Sequence, residues 1–118
     1  MKPRILSISY DLTLLRTREM MLSQAGYEAV SAEGFTAALE HCSGTFDLII
    51  LGHSIPQKDK RVIVAELHDR GCDAPLLSLL RTGEQPIPEA TVGVDPSNPQ
   101  QLLDAVDSIL RKGIAKIA

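Results

Sequence analysis

A chain of 118 residues is one domain's worth, and at 44% hydrophobic it buries a core rather than staying disordered. Its net charge of −3, with scattered Lys and Arg and only 3% aromatic residues, excludes a basic nucleic-acid footprint and a platform for stacking bases. No apolar run approaches membrane length, and Met1-Lys2-Pro3-Arg4 leads straight into a short strand rather than a signal-peptide core. Cys42 and Cys72 make no disulfide framework, so a reducing cytoplasm is the expected compartment.

In chain order, Ile5–Ser9 reads as a short strand, diluted by serines. Asp11 is a good N-cap for a helix whose Leu14, Leu15, Met21, Leu22 and Ala25 recur at helical spacing, and Gly26 stands where a left-handed terminal residue belongs. Arg16, Glu19 and Gln24 fall mainly on its other side. Tyr27–Ser31 reads as a half-exposed edge strand, and Phe35–Cys42 as a short second helix closed by Gly44. Asp47–Leu51 contains the run Leu48-Ile49-Ile50-Leu51, apolar on both faces as a central strand covered by helices must be. A third helix runs from Asp59 to about Arg70 with Ile63, Val64 and Leu67 inward, followed by a fourth strand over Pro75–Leu80. Pro86, Pro88 and Gly83 make the segment from Arg81 to Ala90 a poor helix. Thr91–Val94 is a weak fifth strand. Asn98 and Pro99 then open a last helix, lined by Leu102, Leu103, Val106, Ile109 and Leu110 and ending at Gly113. Strands alternating with helices predict a single α/β domain over residues 1–118 with a parallel sheet and right-handed crossovers. In such sheets the chemistry lies beyond the carboxyl ends of the strands, which directs attention to Gly52, His53 and the end of the first strand.

These residues resemble the receiver domain of bacterial response regulators in two-component signalling. The likeness spans almost the whole chain. It rests on Arg4-Ile5-Leu6, Gln24-Ala25-Gly26-Tyr27-Glu28, Phe46-Asp47-Leu48-Ile49-Ile50-Leu51 with Ile55-Pro56, and Asp95-Pro96-Ser97-Asn98-Pro99. It implies a flavodoxin-like three-layer sandwich with a five-stranded parallel sheet of order 2-1-3-4-5. Receivers take a phosphoryl group onto an aspartate ending the third strand. An acidic pair ending the first strand holds Mg²⁺, a hydroxyl residue ends the fourth, and a lysine before proline ends the fifth.

Position by position, this sequence departs from that pattern. The acceptor falls on Gly52, the acidic pair on Ser9 and Tyr10 with only Asp11 nearby, the hydroxyl on Leu80 with Thr82 two residues on, and the lysine on Asp95. One carboxylate is a poor site for a hard cation. The expectation is a degenerate receiver with no catalytic residue, no enzymatic activity, no metal site and no cofactor, its Mg²⁺ binding lost or weak. Tyr10 is expected to plug the vacated pocket or to line a ligand site, and a carboxylate restored at Gly52 to be buried without a partner. The family's fourth helix does not fit between Leu80 and Asp95 and is expected to be shortened or absent.

The remaining polar residues have plainer readings. His53 should point away from the lost acceptor because side chains alternate along a strand, and Ser54 reads as an ordinary turn serine. His41, Cys42, His68 and Cys72 lack a second ligand pair at metal spacing. Lys58-Asp59-Lys60-Arg61 reads as a solvated helix start with Asp59 well placed by the helix dipole. The function expected is phosphorelay signalling by phosphorylation-independent contact with a protein partner, such as another signalling protein. The alternatives are a phosphorylated regulator with an unrecognised acceptor, and a small-molecule sensor. Neither nucleic acid nor membrane is an expected partner. The missing helix leaves two outcomes: Ile87 folds back over the fourth strand and closes the surface, or an apolar patch remains that suits a homodimer.

Overall fold

The computed structural model describes residues 2–41, 45–81, 83–88, 90, 92–95 and 97–117, with side chains as far as Arg111. Its elements are β1 (Arg4–Ser9), α1 (Leu12–Gln24), β2 (Glu28–Glu33), α2 (Gly34–His41), β3 (Leu48–Leu51), α3 (Gln57–Asp69), β4 (Leu76–Leu79), β5 (Val92–Val94) and α4 (Pro99–Ile117). The sheet is parallel throughout, in the order β2-β1-β3-β4-β5. The expected α/β class and strand order therefore hold.

The local signals act as their chemistry requires. Asp11 Oδ1 accepts from the Leu14 amide and caps α1. Gly26, at φ +97, turns the chain out of that helix. Asn98 Oδ1 accepts from the Gln101 amide and caps α4. That last helix does not stop at Gly113 but continues to Ile117. One glycine among helix-forming neighbours costs about 1 kcal/mol, too little to end a helix by itself. Met1, Cys42, Gly44, Thr82, Thr91 and Pro96, named above, lie outside the described residues.

The central strands, apolar on both faces, behave as predicted: Leu48–Leu51 and Leu76–Leu79, with Ser78 the one polar residue in either, are buried along their whole length. Alternation splits the core in two. Leu6, Ile8, Ile49, Leu51 and Leu76 face α2 and α3, meeting Ala38, Ile63 and Leu67. Ile5, Leu48, Ile50, Leu77 and Leu79 face the other way, towards Leu22 of α1 and Leu102, Val106 and Ile109 of α4.

Between β4 and β5 the described residues contain no helix. Instead Ile87 is 4% exposed and packs into the α2/α3 side of the core. A Cβ at Gly93 of β5 would lie 2.6 Å from Leu80 Cδ1 and 3.0 Å from Pro86 Cγ, so the loop lies close against that strand. The loop thus substitutes for the missing helix. Of the two outcomes for this face, the structure takes the closed one, and among the described residues the uncovered patch that motivated a dimer through β4 is absent. No helix among the described residues is long and apolar enough to cross a membrane.

Candidate functional site

Register brings the ends of β1, β3 and β4 together. Ile8 pairs with Leu51 and Leu51 with Ser78, while the Gly52 amide donates to Ile8 O at 2.8 Å. Ser9 and Gly52 therefore sit side by side at the carboxyl edge, where ligands of open α/β sheets bind.

The residues that the resemblance places here are used in other ways. Ser9 is fully buried, its Oγ 2.7 Å from Ser54 Oγ and accepting from the Asp11 amide. Ser54 Oγ also accepts from the Tyr10 amide, so this serine ties the β3–α3 loop to the end of β1 and is more than a solvated turn residue. Asp11 is exposed and committed to capping α1. Leu80 continues the ladder through its amide to Val94 O. Asp95 accepts from both the amide and the hydroxyl of Ser97. Those two bonds hold the Asp95 carboxyl below the ordinary value, but the group is exposed and belongs to the turn before α4.

Tyr10 does not plug the pocket. It is 40% exposed and reaches across the surface to donate to Asp59 Oδ2 at 3.0 Å. Partial loss of water, then that hydrogen bond and the Asp59 charge, push its phenol up.

The volume over Gly52 is taken by a residue that the sequence reading passed over. Arg18 of α1 is 6% exposed, and its Nη1 lies 2.9 Å from where a Gly52 Cβ would stand. Ile8 O and Ser9 Cβ close the same space at 3.0 and 3.2 Å. Arg18 Nη2 meets His53 Nδ1 at 2.9 Å. A guanidinium only donates, so this ring nitrogen accepts and the imidazole proton is on Nε2. His53 thus turns towards Arg18 rather than merely filling a loop. Loss of water and then the charges of Arg18, Arg81 and Lys60 hold it below the ordinary histidine value, with Asp11 opposing weakly. A carboxylate at Gly52 would therefore meet a cation and not lie unpaired.

A second cation arrives from the other face. Lys60, expected on a solvated helix start, is fully buried. Its Nζ donates to Ser78 Oγ at 2.8 Å and to Leu79 O at 2.7 Å. Burial lowers its ammonium below the ordinary value, with Glu84 acting against this and Arg81 with it. Arg81, from the loop after β4, donates to His53 O at 2.8 Å and completes a basic edge.

Both buried cations had a signal in the sequence. Arg18 sits three residues after Leu15 and four before Leu22, and Lys60 three before Ile63 and seven before Leu67. These are inward positions of the two helix stripes. A basic residue inside an apolar stripe carries its charge to whatever lies beyond the end of its stem.

Mg²⁺, which the receiver resemblance implies, needs several oxygen ligands, carboxylates above all. At this edge Asp11 is engaged as a helix cap and Asp59 accepts from Tyr10, beside two buried cations. The donor set does not fit the ion. Among the described residues no three His, Cys, Asp or Glu side chains gather as metal ligands. A surface cleft of about 450 Å³ along Val64, Leu67, Cys72, Ala74 and Leu76 lies away from this edge and shares no residue with it.

No protein-family model matches the sequence, and no curated protein matches it. Solved structures do. A response regulator receiver domain from Methanospirillum hungatei is similar with a TM-score of 0.83 at 18% identity, covering 98% of this chain and 99% of that one. The signal receiver domain of an HD domain-containing protein from Pseudomonas fluorescens gives 0.82 at 22% identity over 98% and 99%. The response regulator TrrA from Thermotoga maritima, solved with Mg²⁺ and BeF, gives 0.77 at 26% identity over 92% and 99%. The chain therefore has the receiver-domain fold.

Proposed function

We propose that the chain is a receiver-type signalling module that acts without phosphoryl transfer, by binding a protein partner, and is not an enzyme. The fold supports a place in two-component signalling, as in the response regulators it is similar to. The observation that carries independence from phosphorylation is Arg18 Nη1 standing over Gly52, where receivers carry the acceptor carboxylate. A phosphoryl cycle needs a nucleophile, a metal and a cation for the acyl phosphate. Here the nucleophile position is a glycine, the lysine position is Asp95, and the oxygen ligands for Mg²⁺ are too few. Partner contact then does not wait on a phosphorylation switch, and the module docks in the one state that its sequence folds to.

Incubating the protein with acetyl phosphate and Mg²⁺ and measuring the intact mass tests this. The mass is expected to stay unchanged. A stoichiometric phosphoryl adduct on any residue overturns the reading and favours an acceptor outside the family's positions.

A further inference from the structure

We propose that the cleft beside Arg18 binds a small monocarboxylate, whose oxygens pair with the Arg18 guanidinium. The inference rests on the state of Arg18 and not on the docking reading above, so either can fail alone.

Taking a charge out of water is costly unless an opposite charge replaces the lost hydration. Arg18 is 6% exposed, and no carboxylate forms an ion pair with it among the described residues. Its Nη2 meets a neutral imidazole, and its Nη1, buried over Gly52, has no hydrogen-bond partner among the described residues. Asp11, whose charge acts on it from a distance, spends one carboxylate oxygen on capping α1. The protein thus holds a desolvated cation that is bonded to no anion among the described residues.

Next to it lies a cleft of about 110 Å³. Arg18 lines it together with Leu14, Met21, Leu79 and Leu102, and with Thr17 and His53 at its polar side. The surroundings select the ligand. One unpartnered cation matches one negative charge, and the planar fork of a guanidinium matches the two oxygens of a carboxylate. The apolar walls take a hydrocarbon remainder and give nothing to the extra oxygens of a phosphate. Because a cavity of about 150 Å³ holds a benzene-sized molecule, this one suits a chain of only a few carbons.

The test uses the whole chain and n-butyrate at rising millimolar concentration, with ionic strength held constant by sodium chloride, followed in ¹H–¹⁵N spectra that include the arginine Nε–H. Saturable shifts centred on Arg18, His53, Leu79 and Leu102 are expected, with half-saturation at about 1 mM, as befits a ligand of so few atoms. The isosteric neutral n-butyramide is expected to leave these signals in place. Arg18→Met should weaken butyrate binding about tenfold or more. Should that variant fold poorly, Gly52→Asp supplies a carboxylate to the same guanidinium from within, and butyrate binding should be lost there too. No saturable shift, equal shifts with butyramide or with chloride alone, or undiminished binding by folded Gly52→Asp overturns the proposal.

Discussion

Two basic side chains leave opposite faces of the sheet for the same edge, and they are satisfied unequally. Lys60 comes from α3, and its compact ammonium donates to Ser78 Oγ and Leu79 O. Arg18 comes from α1 and has one described side-chain partner, His53, with Nη1 left over. The difference follows from the head groups. An ammonium has three donors that rotate to meet whatever acceptors one strand end provides, whereas a guanidinium has five in a fixed fork. Two neutral acceptors nearly complete the first and leave the second short. Lys60 therefore reads as part of the core, a polar pin between α3 and β4. Arg18 is the member of the pair with binding capacity to spare.

The sharpest way to break this comparison is to delete each side chain in turn. Lys60→Ala removes a buried four-carbon stem and takes the donor from a buried hydroxyl and a buried carbonyl, a loss of about 3 kcal/mol. Arg18→Ala also opens a cavity but relieves an under-satisfied cation, so its cost should be smaller by about 1–2 kcal/mol. Lys60→Met keeps the stem and drops the desolvated charge but takes the donor from the same two acceptors, so it should cost less than Lys60→Ala, about 1–2 kcal/mol. Urea titrations with a common m-value rank the three variants. An Arg18→Ala variant less stable than Lys60→Ala would mean that the guanidinium is as well paired as the ammonium.

Much of this fold could be read from residues alone, and the reason is that its signals are local. Leu48–Leu51 is apolar at every position, and Leu76–Leu79 at every position but Ser78, because both faces of those strands are covered, and Asp11, Gly26 and Asn98 mark helix ends by the bonds they make or the φ they permit. The helix missing between β4 and β5 was legible in Pro86 and Pro88, but that Ile87 would take its place depends on the path of a loop, which no local pattern fixes. The site was legible only as a set of positions. Which residue fills the space over Gly52 depends on the reach of a long side chain from another element, and a basic residue invites the assumption that it faces water. Tyr10 was the nearer choice in sequence and Arg18 the nearer one in space.

A smaller effect sharpens the role of Arg18. An aspartate or asparagine at Gly52 must push against Ile8 O and Ser9 Cβ, so both substitutions destabilise. The carboxylate alone gains a charge-assisted bond to Arg18, so Gly52→Asp should be more stable than Gly52→Asn by about 1 kcal/mol at neutral pH. In an Arg18→Met background the order should reverse, because the aspartate would then be buried without a counter-charge. Denaturant titration of the four variants reads the coupling directly. An unchanged Asp–Asn difference in that background would show that Arg18 does not face residue 52 in solution.

The smallest effect concerns His53, the one side-chain partner of Arg18 among the described residues. Loss of water and the neighbouring cations hold its imidazole below the ordinary value of about 6.5, so the folded protein takes up this proton less readily than the unfolded chain. In the window between the ordinary value and the lower folded one, the unfolded state binds more protons, and stability must fall as pH falls. Above that window the contribution is fully present. Below the folded value the ring is protonated, Nδ1 no longer accepts from Arg18, and the loss is complete. The side chain is only partly buried, and solvent screening limits the whole change to about a few tenths of a kcal/mol. Paired titrations of wild type and His53→Gln at pH 7.5 and pH 5.5 isolate it, since the glutamine carries no proton to take up. The wild type should lose more stability than the variant on going to the lower pH, and Arg18→Met should shrink that excess because it removes the largest of the charges acting on the ring. An excess that is the same with and without Arg18 would assign the depression to burial and to Arg81 and Lys60, and would separate His53 from the guanidinium it faces.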